Sequence, residues 1–302
     1  EFEVVENEVG QYEYEIRAWP LPGEVDANNN SAITYLNVID QQITVLVLEG
    51  SPYWDTTFLQ RSLLRNDKFN VDSLVKYGDR RVRPIRKQSD AGELKLPTTA
   101  AEFRHYDVII LGRDLDQMLN RVQIDLLTSY VRDAGGTVIF SRGPAFGGSS
   151  SANELEPVIW GLAPTSRARL QVAREGQSAS AFRALNDQAG GLDALPEVLT
   201  ARDATERKPL TATLAVAAPR DGAEPVPGMV HRRFGQGQVV SIGVEGLWRW
   251  GLNPKVEGVN TAFDCFWDQM ILWLLASRDF LPAPHADTRP HEEHRTMRVQ
   301  RA

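Results

Sequence analysis

The chain has 302 residues, 42% of them hydrophobic and 24% charged, the balance of a globular protein with ample length to bury a core. A formal charge of -7 argues against a general nucleic-acid binder, which carries a basic face. A single cysteine, Cys265, excludes an internal disulfide and a cysteine-based metal cluster.

Residues 1–40 differ in character from the rest. Gln11 to Trp19 and Ala32 to Ile39 alternate apolar and polar residues, as strands with one wet face do, and turn clusters at Pro20–Glu24 and Asp26–Ser31 separate them. They are read either as a β-hairpin or, preferably, as the end of an immunoglobulin-like sandwich, because an isolated hairpin is only marginally stable.

Ile43-Thr44-Val45-Leu46-Val47-Leu48 is too continuously apolar for a one-sided strand and suits one buried on both faces of a parallel sheet. Glu49-Gly50-Ser51-Pro52 breaks it, and Trp54, Phe58, Leu59, Leu63 and Leu64 then recur at helical spacing. A second strand is predicted at Phe69–Val75, followed by a polar segment, 78–98, carrying Arg80, Arg81, Arg83, Arg86 and Lys87. That basic run is a solvated loop or, less in keeping with such runs, an anion-binding one.

Tyr106–Gly112 forms a third strand and ends in Gly112-Arg113-Asp114. A helix follows from Leu119 to Val131, with Asn120 and Gln123 placed as a capping pair and Gly135-Gly136 as its stop. Thr137–Phe140 is a fourth buried strand, leading into Ser141-Arg142-Gly143-Pro144. Strand and helix alternating in this order predict a doubly wound α/β domain.

The stretch 145–205 is less regular, with short helices predicted at Glu154–Trp160 and Ala179–Leu185. Leu210–Ala217 and Met229–Phe234 read as strands, and Gly235-Gln236-Gly237 turns the second back into Gln238–Gly243. Phe263–Ser277 is a closing helix. It is the longest apolar segment, yet it is short for a membrane span and interrupted by Asp264 and Asp268. The tail from Pro282 is rich in proline, histidine and charge, and is expected to be disordered. No signal peptide is visible and the chain does not begin with methionine, so it reads as a piece of a larger protein.

Leu48-Glu49-Gly50-Ser51-Pro52-Tyr53-Trp54, through Phe58–Leu63, resembles the opening of class I glutamine amidotransferase-like domains of bacterial membrane proteins. Such domains often accompany von Willebrand factor A-type or immunoglobulin-like segments. The resemblance continues at Tyr106–Gly112, Gly135–Phe140, Phe234–Val240 and Trp248-Arg249-Trp250. It covers residues 41–280 and is weakest in the middle. It implies a flavodoxin-like, mostly parallel sheet over 41–281, between the β segment 1–40 and the tail 282–302. It also implies a domain at the periplasmic or extracellular face of the cytoplasmic membrane, tethered by segments outside this chain, with a protein partner in or near the cell envelope.

Amidotransferase chemistry needs a cysteine on a sharp turn after a strand, a histidine to take its proton and an acid to orient that histidine. Ser141 stands at the nucleophile position, and Glu245 at that of the acid, but no histidine accompanies it. The expectation is a non-catalytic scaffold with no cofactor and no metal. Two other readings stay open: a hydrolase using Ser141 with an unrecognised base, or a sugar- or nucleotide-binding module at the carboxyl edge of the strands.

Candidate ligand or partner residues on that edge are Glu49, Tyr53, Trp54, Asp55, Asp114, Arg142, Trp248, Arg249 and Trp250. The carboxylates Glu49, Asp114 and Glu245 are expected to be solvated or paired with arginine rather than to hold a hard cation, since no Asp-x-Asp-x-Asp loop is present. The aromatics are either core beneath the closing helix or a partly exposed binding surface. Cys265 beside Phe266 and Trp267 reads as a packed thiol. His285, His291 and His294 in the tail amount to adventitious metal ligands at most.

Overall fold

The computed structural model describes residues 10–17, 30–38, 42–78, 81–88, 92–147, 152–164, 167–177, 179–252, 261–276 and 293–298. Two units emerge, one made of residues 1–41 with 282–302 and the other of residues 42–281.

In the smaller unit β1 (Gly10–Arg17) pairs antiparallel with β2 (Ser31–Val38), Gly10 lying opposite Val38. The alternation noted in the sequence buries Tyr12 and Tyr14 on one face. A third strand, Glu293–Arg298, runs parallel along the other edge of β1. This departs from the expectation of a disordered tail. An open strand edge offers unpaired N–H and C=O groups, and a segment poor in core residues can still add to it through its backbone. His285 and His291 lie outside the described residues.

The larger unit begins with β3 (Ile43–Glu49), α1 (Trp54–Arg65), β4 (Phe69–Tyr77) and β5 (Arg81–Arg86). Next come α2 (Ala100–Arg104), β6 (Val108–Leu111), α3 (Arg121–Arg132) and β7 (Thr137–Phe140). An excursion follows: α4 (Ala152–Leu155), β8 (Val158–Pro164), β9 (Ala168–Val172), α5 (Ser180–Ala189) and β10 (Thr200–Arg207). The unit closes with β11 (Thr211–Pro219), β12 (Val226–Phe234), β13 (Gly237–Ile242), β14 (Val244–Glu245) and α6 (Ala262–Ala276).

The main sheet has nine strands in the order β5-β4-β3-β6-β7-β13-β12-β11-β9. The run β4-β3-β6-β7-β13 is parallel throughout, which is the flavodoxin-like strand order, and antiparallel strands extend it at both ends. The fold is therefore α/β with a doubly wound, mostly parallel sheet at its centre. Alternate residues of each central strand enter separate cores. Val45, Val47, Val108, Ile110 and Ile139 join Leu59, Leu63 and Phe266 from α1 and α6. Leu46, Leu48, Ile109, Leu111 and Phe140 join Phe103 and Leu127 from α2 and α3. That two-sided burial is why these strands read as unbroken apolar runs.

The capping pair predicted before α3 is present: the Asn120 side chain accepts from the Gln123 N–H, and the Gln123 side chain accepts from the Asn120 N–H. Two local expectations fail. The polar segment 78–98 contains β5, whose Arg86 makes a two-pronged ion pair with the largely buried Asp72 at 2.6 and 3.0 Å, so backbone pairing and one salt bridge order a run that looked like loop. The helix predicted over Glu154–Trp160 stops at Leu155, and Val158 onward pairs with β10. Pro157 cannot continue a helix, and the β-branched Val158 and Ile159 favour a strand.

No described helix is long and apolar enough to cross a membrane.

Candidate functional site

In a doubly wound sheet the crevice lies at the carboxyl ends of the strands, where the strand order reverses, here between β3 and β6. Glu49 is the last residue of β3 and points into that crevice with no solvent exposure. Both of its carboxylate oxygens are fully engaged. Oε1 accepts from the backbone N–H groups of Ser51 (3.0 Å) and Arg113 (2.9 Å) and from Arg142 Nη2 (3.1 Å). Oε2 accepts from the Thr56 hydroxyl and from Arg142 Nε at 3.1 Å.

Arg142, immediately after β7, holds this carboxylate with its fork. It sends Nη1 to Glu245 Oε1 at 3.1 Å, donates to the Ser51 carbonyl and lays its guanidinium 4.9 Å from the Tyr53 ring centroid. Arg113, following β6, reaches the same Glu245 oxygen at 2.9 Å. Two guanidinium and two carboxylate groups thus balance in charge across the mouth of the crevice. Burial opposes the charge on Arg142, but the bonds to Glu49 and the field of Glu245 outweigh it and hold the guanidinium above its ordinary pKa. The backbone is shaped around this pair: a β-carbon on Gly112 would overlap the Glu49 carboxylate, and one on Gly50 would overlap the Asp114 carbonyl.

Ser141 occupies the turn after β7, where an amidotransferase would carry its nucleophile. It is buried, its N–H donates to the Leu111 carbonyl at 2.8 Å, and its hydroxyl donates to the same oxygen at 3.0 Å. Neither His105 nor His231 stands beside it. His105 closes α2 at the opposite ends of the strands, where its carbonyl takes a bond from Thr44. His231 lies on β12 against Gln238 and the Trp273 ring, and burial lowers its pKa.

A second group adjoins the first. Asp55, in the first turn of α1, is buried and accepts from the backbone N–H groups of Gly246 and Trp248, both at 2.8 Å, pinning the turn after β14. Burial pushes Asp55 up to about 6, against the pull of those two donors. The pinned turn carries Trp248, whose ring lies 5.9 Å from Trp54 and 5.7 Å from Phe58. Trp54 is 58% exposed, so this group presents an aromatic face to solvent.

Of the residues singled out in the sequence, Glu49, Tyr53, Arg142 and Glu245 are brought together, and Asp55, Trp54 and Trp248 form the neighbouring group. Trp250 and Arg249 do not join them. Trp250 is 1% exposed, donates to the Pro196 carbonyl at 3.0 Å and packs edge-on against Phe266, while Arg249 donates to the Glu197 carbonyl. Trp250 thus belongs to the core, one of the two roles left open for the aromatics. Asp114 is exposed, in a left-handed conformation (φ 55°), and makes no ion pair among the described residues. Cys265 is a packed thiol pushed up to about 11, chiefly by burial. Among the described residues no three His, Cys, Asp or Glu side chains cluster so as to hold a metal ion.

Sequence reading passed over two contributors. Arg113 directly follows the strand-ending Gly112 and could have been found by the rule that placed Glu49. Glu156 could not, because nothing in its neighbourhood marks it. It lines a cleft of about 350 Å³ beside the crevice, together with Arg113, Asp114 and Arg202.

No family model and no curated protein matches the chain. Among solved structures it is similar to a putative ThuA-like protein from Parabacteroides merdae, 13% identical over 81% of this chain and 94% of that one, with a TM-score of 0.44. It is also similar to a carbohydrate deacetylase, at 11% identity and a TM-score of 0.47 over 78% of this chain. A β-galactosidase from Rahnella sp. R3 gives 11% and 0.48 over 80%. The chain spans 32% of the length of each of these last two. Likeness at this level concerns fold and says nothing of activity.

Proposed function

We propose that this chain is a non-catalytic, glutamine amidotransferase-like domain of a membrane-anchored bacterial protein, serving protein interaction or assembly outside the cytoplasm. The observation that carries the non-catalytic part is the state of Ser141: its hydroxyl is buried and spent on the Leu111 carbonyl, with no imidazole in reach among the described residues. A serine hydroxyl is a weak nucleophile at neutral pH unless a base takes its proton. Arg142 and its two carboxylate partners stand in the crevice where a substrate would enter. The interaction part draws on the exposed Trp54 with Trp248 behind it, an aromatic face of the kind that anchors partner proteins. Anchoring and compartment follow the sequence resemblance alone.

Turnover assays with glutamine and with generic ester and amide substrates test the reading. The expected outcome is no turnover above that of Ser141→Ala, and activity abolished by that substitution overturns it.

A further inference from the structure

Beside the Glu49–Arg142 pair, the cleft lined by Arg113, Asp114, Glu156, Trp160 and Arg202 is built differently. At about 350 Å³ it has the size of a small-molecule site. At its wall stands Glu156, only 5% exposed, accepting from Trp160 Nε1 (2.8 Å) and from the Ser241 hydroxyl (2.8 Å). Both bonds go to Oε1, so Oε2 has no protein partner among the described residues. No cation pairs with this carboxyl among them either. Arg113 shows the same incompleteness. Its Nη1 is tied to Glu245, while its Nε is buried without a partner. A buried polar group left without a partner is costly, and a ligand that satisfies it recovers that cost.

We propose that this cleft binds a small hydroxylated carboxylate, its acid group held by Arg113, Arg202 and a proton donated from Glu156 Oε2, with Asp114 at the rim accepting from a ligand hydroxyl. The inference goes beyond the reading of Ser141 and does not depend on it. Burial pushes Glu156 up to about 8, against the bonds from Ser241 and Trp160, so at neutral pH the group is an acid and a donor. With two donors on Oε1, its proton sits on Oε2. The charged groups around Glu156 are Lys208 after β10, Arg202 on β10, and Arg113 and Asp114 after β6. The Lys208 amine is itself buried without a partner and lowered by burial. Two guanidinium groups, Arg113 and Arg202, line the cleft, and a carboxylate pairs with them as a neutral sugar does not.

Isothermal titration of the whole chain with glucuronate, tartrate and glucose, from pH 6.5 to 9.5, tests this. At least one acid is expected to bind and glucose is not. Glucuronate alone would mark a sugar acid, tartrate alone an acyclic hydroxy acid. Arg202→Met should weaken binding about tenfold, the effect of one lost charge-assisted bond. Affinity should fall as pH rises through about 8, where Glu156 ionises and repels the ligand. Glu156→Gln presents an amide donor to the cleft at every pH, so it should bind and lose that fall. The proposal is overturned if neither acid binds better than glucose, or if Glu156→Gln keeps the same pH profile. Should Glu156→Gln fail to fold, as thermal unfolding would reveal, the acid-against-glucose comparison and Arg202→Met still decide.

Discussion

Glu49 and Glu156 are both buried carboxyls, yet their surroundings offer them different sets of partners. Glu49 meets donors on both oxygens and lies in the fork of Arg142, which locks it in place. Glu156 meets two neutral donors on one oxygen and no ion-pair partner among the described residues, and burial pushes it up to about 8. The saturated group is locked into the structure, whereas the half-satisfied one leaves a bond on offer. Burial alone therefore does not distinguish structure from function; the count of unmet bonds does.

The sharpest way to break this comparison is to remove one half of the locked pair. Arg142→Met leaves Glu49 buried without its counter-ion and should cost about 3–5 kcal/mol in chemical denaturation. The double variant Glu49→Gln with Arg142→Met should cost less than the sum of the single changes, since no buried charge is stranded. If the two add, the pair is not coupled as described. Gly112→Ala drives a β-carbon into the Glu49 carboxylate and should lose about 1–3 kcal/mol by overpacking, read in the same experiment.

A smaller effect separates the charged pair from its neutral neighbours by pH. Asp55 has its folded pKa raised to about 6, so the folded chain binds that proton more tightly than the unfolded chain does. Stability from this group is present at low pH and is lost as pH rises from about 4 through about 6. Relative to Asp55→Asn, which does not titrate, the wild-type chain should lose on the order of 2 kcal/mol across that window. Unfolding free energies measured at pH 4 and pH 7 check the sign. Smallest of all, Trp54→Ala should change stability by about 0.5 kcal/mol or less in chemical denaturation, because an exposed side chain contributes little to folding.

How far the sequence carries this picture depends on the range of the interactions involved. β3, β6 and β7 were legible because burial on both faces writes an unbroken apolar run, and α3 because Asn120 and Gln123 cap it locally. β9 and β10 carry no such local signal, and the start of β8 reads as helix, because their pairing depends on partners far along the chain. At the site, the strand-end rule found Glu49, Arg142 and Glu245 but not what they do to one another. Their mutual pairing links positions 93 and 103 residues apart. Trp250 illustrates the converse: two residues after Trp248 in sequence, it turns inward within one short helical turn and belongs to the core.

The non-catalytic reading is tested most directly by incubating the folded chain with a fluorophosphonate probe at neutral pH and mapping adducts by mass spectrometry. A hydroxyl held by the Leu111 carbonyl, with neither His105 nor His231 beside it, should leave Ser141 unmodified at probe concentrations that saturate a serine hydrolase. Stoichiometric labelling of Ser141 would contradict the account.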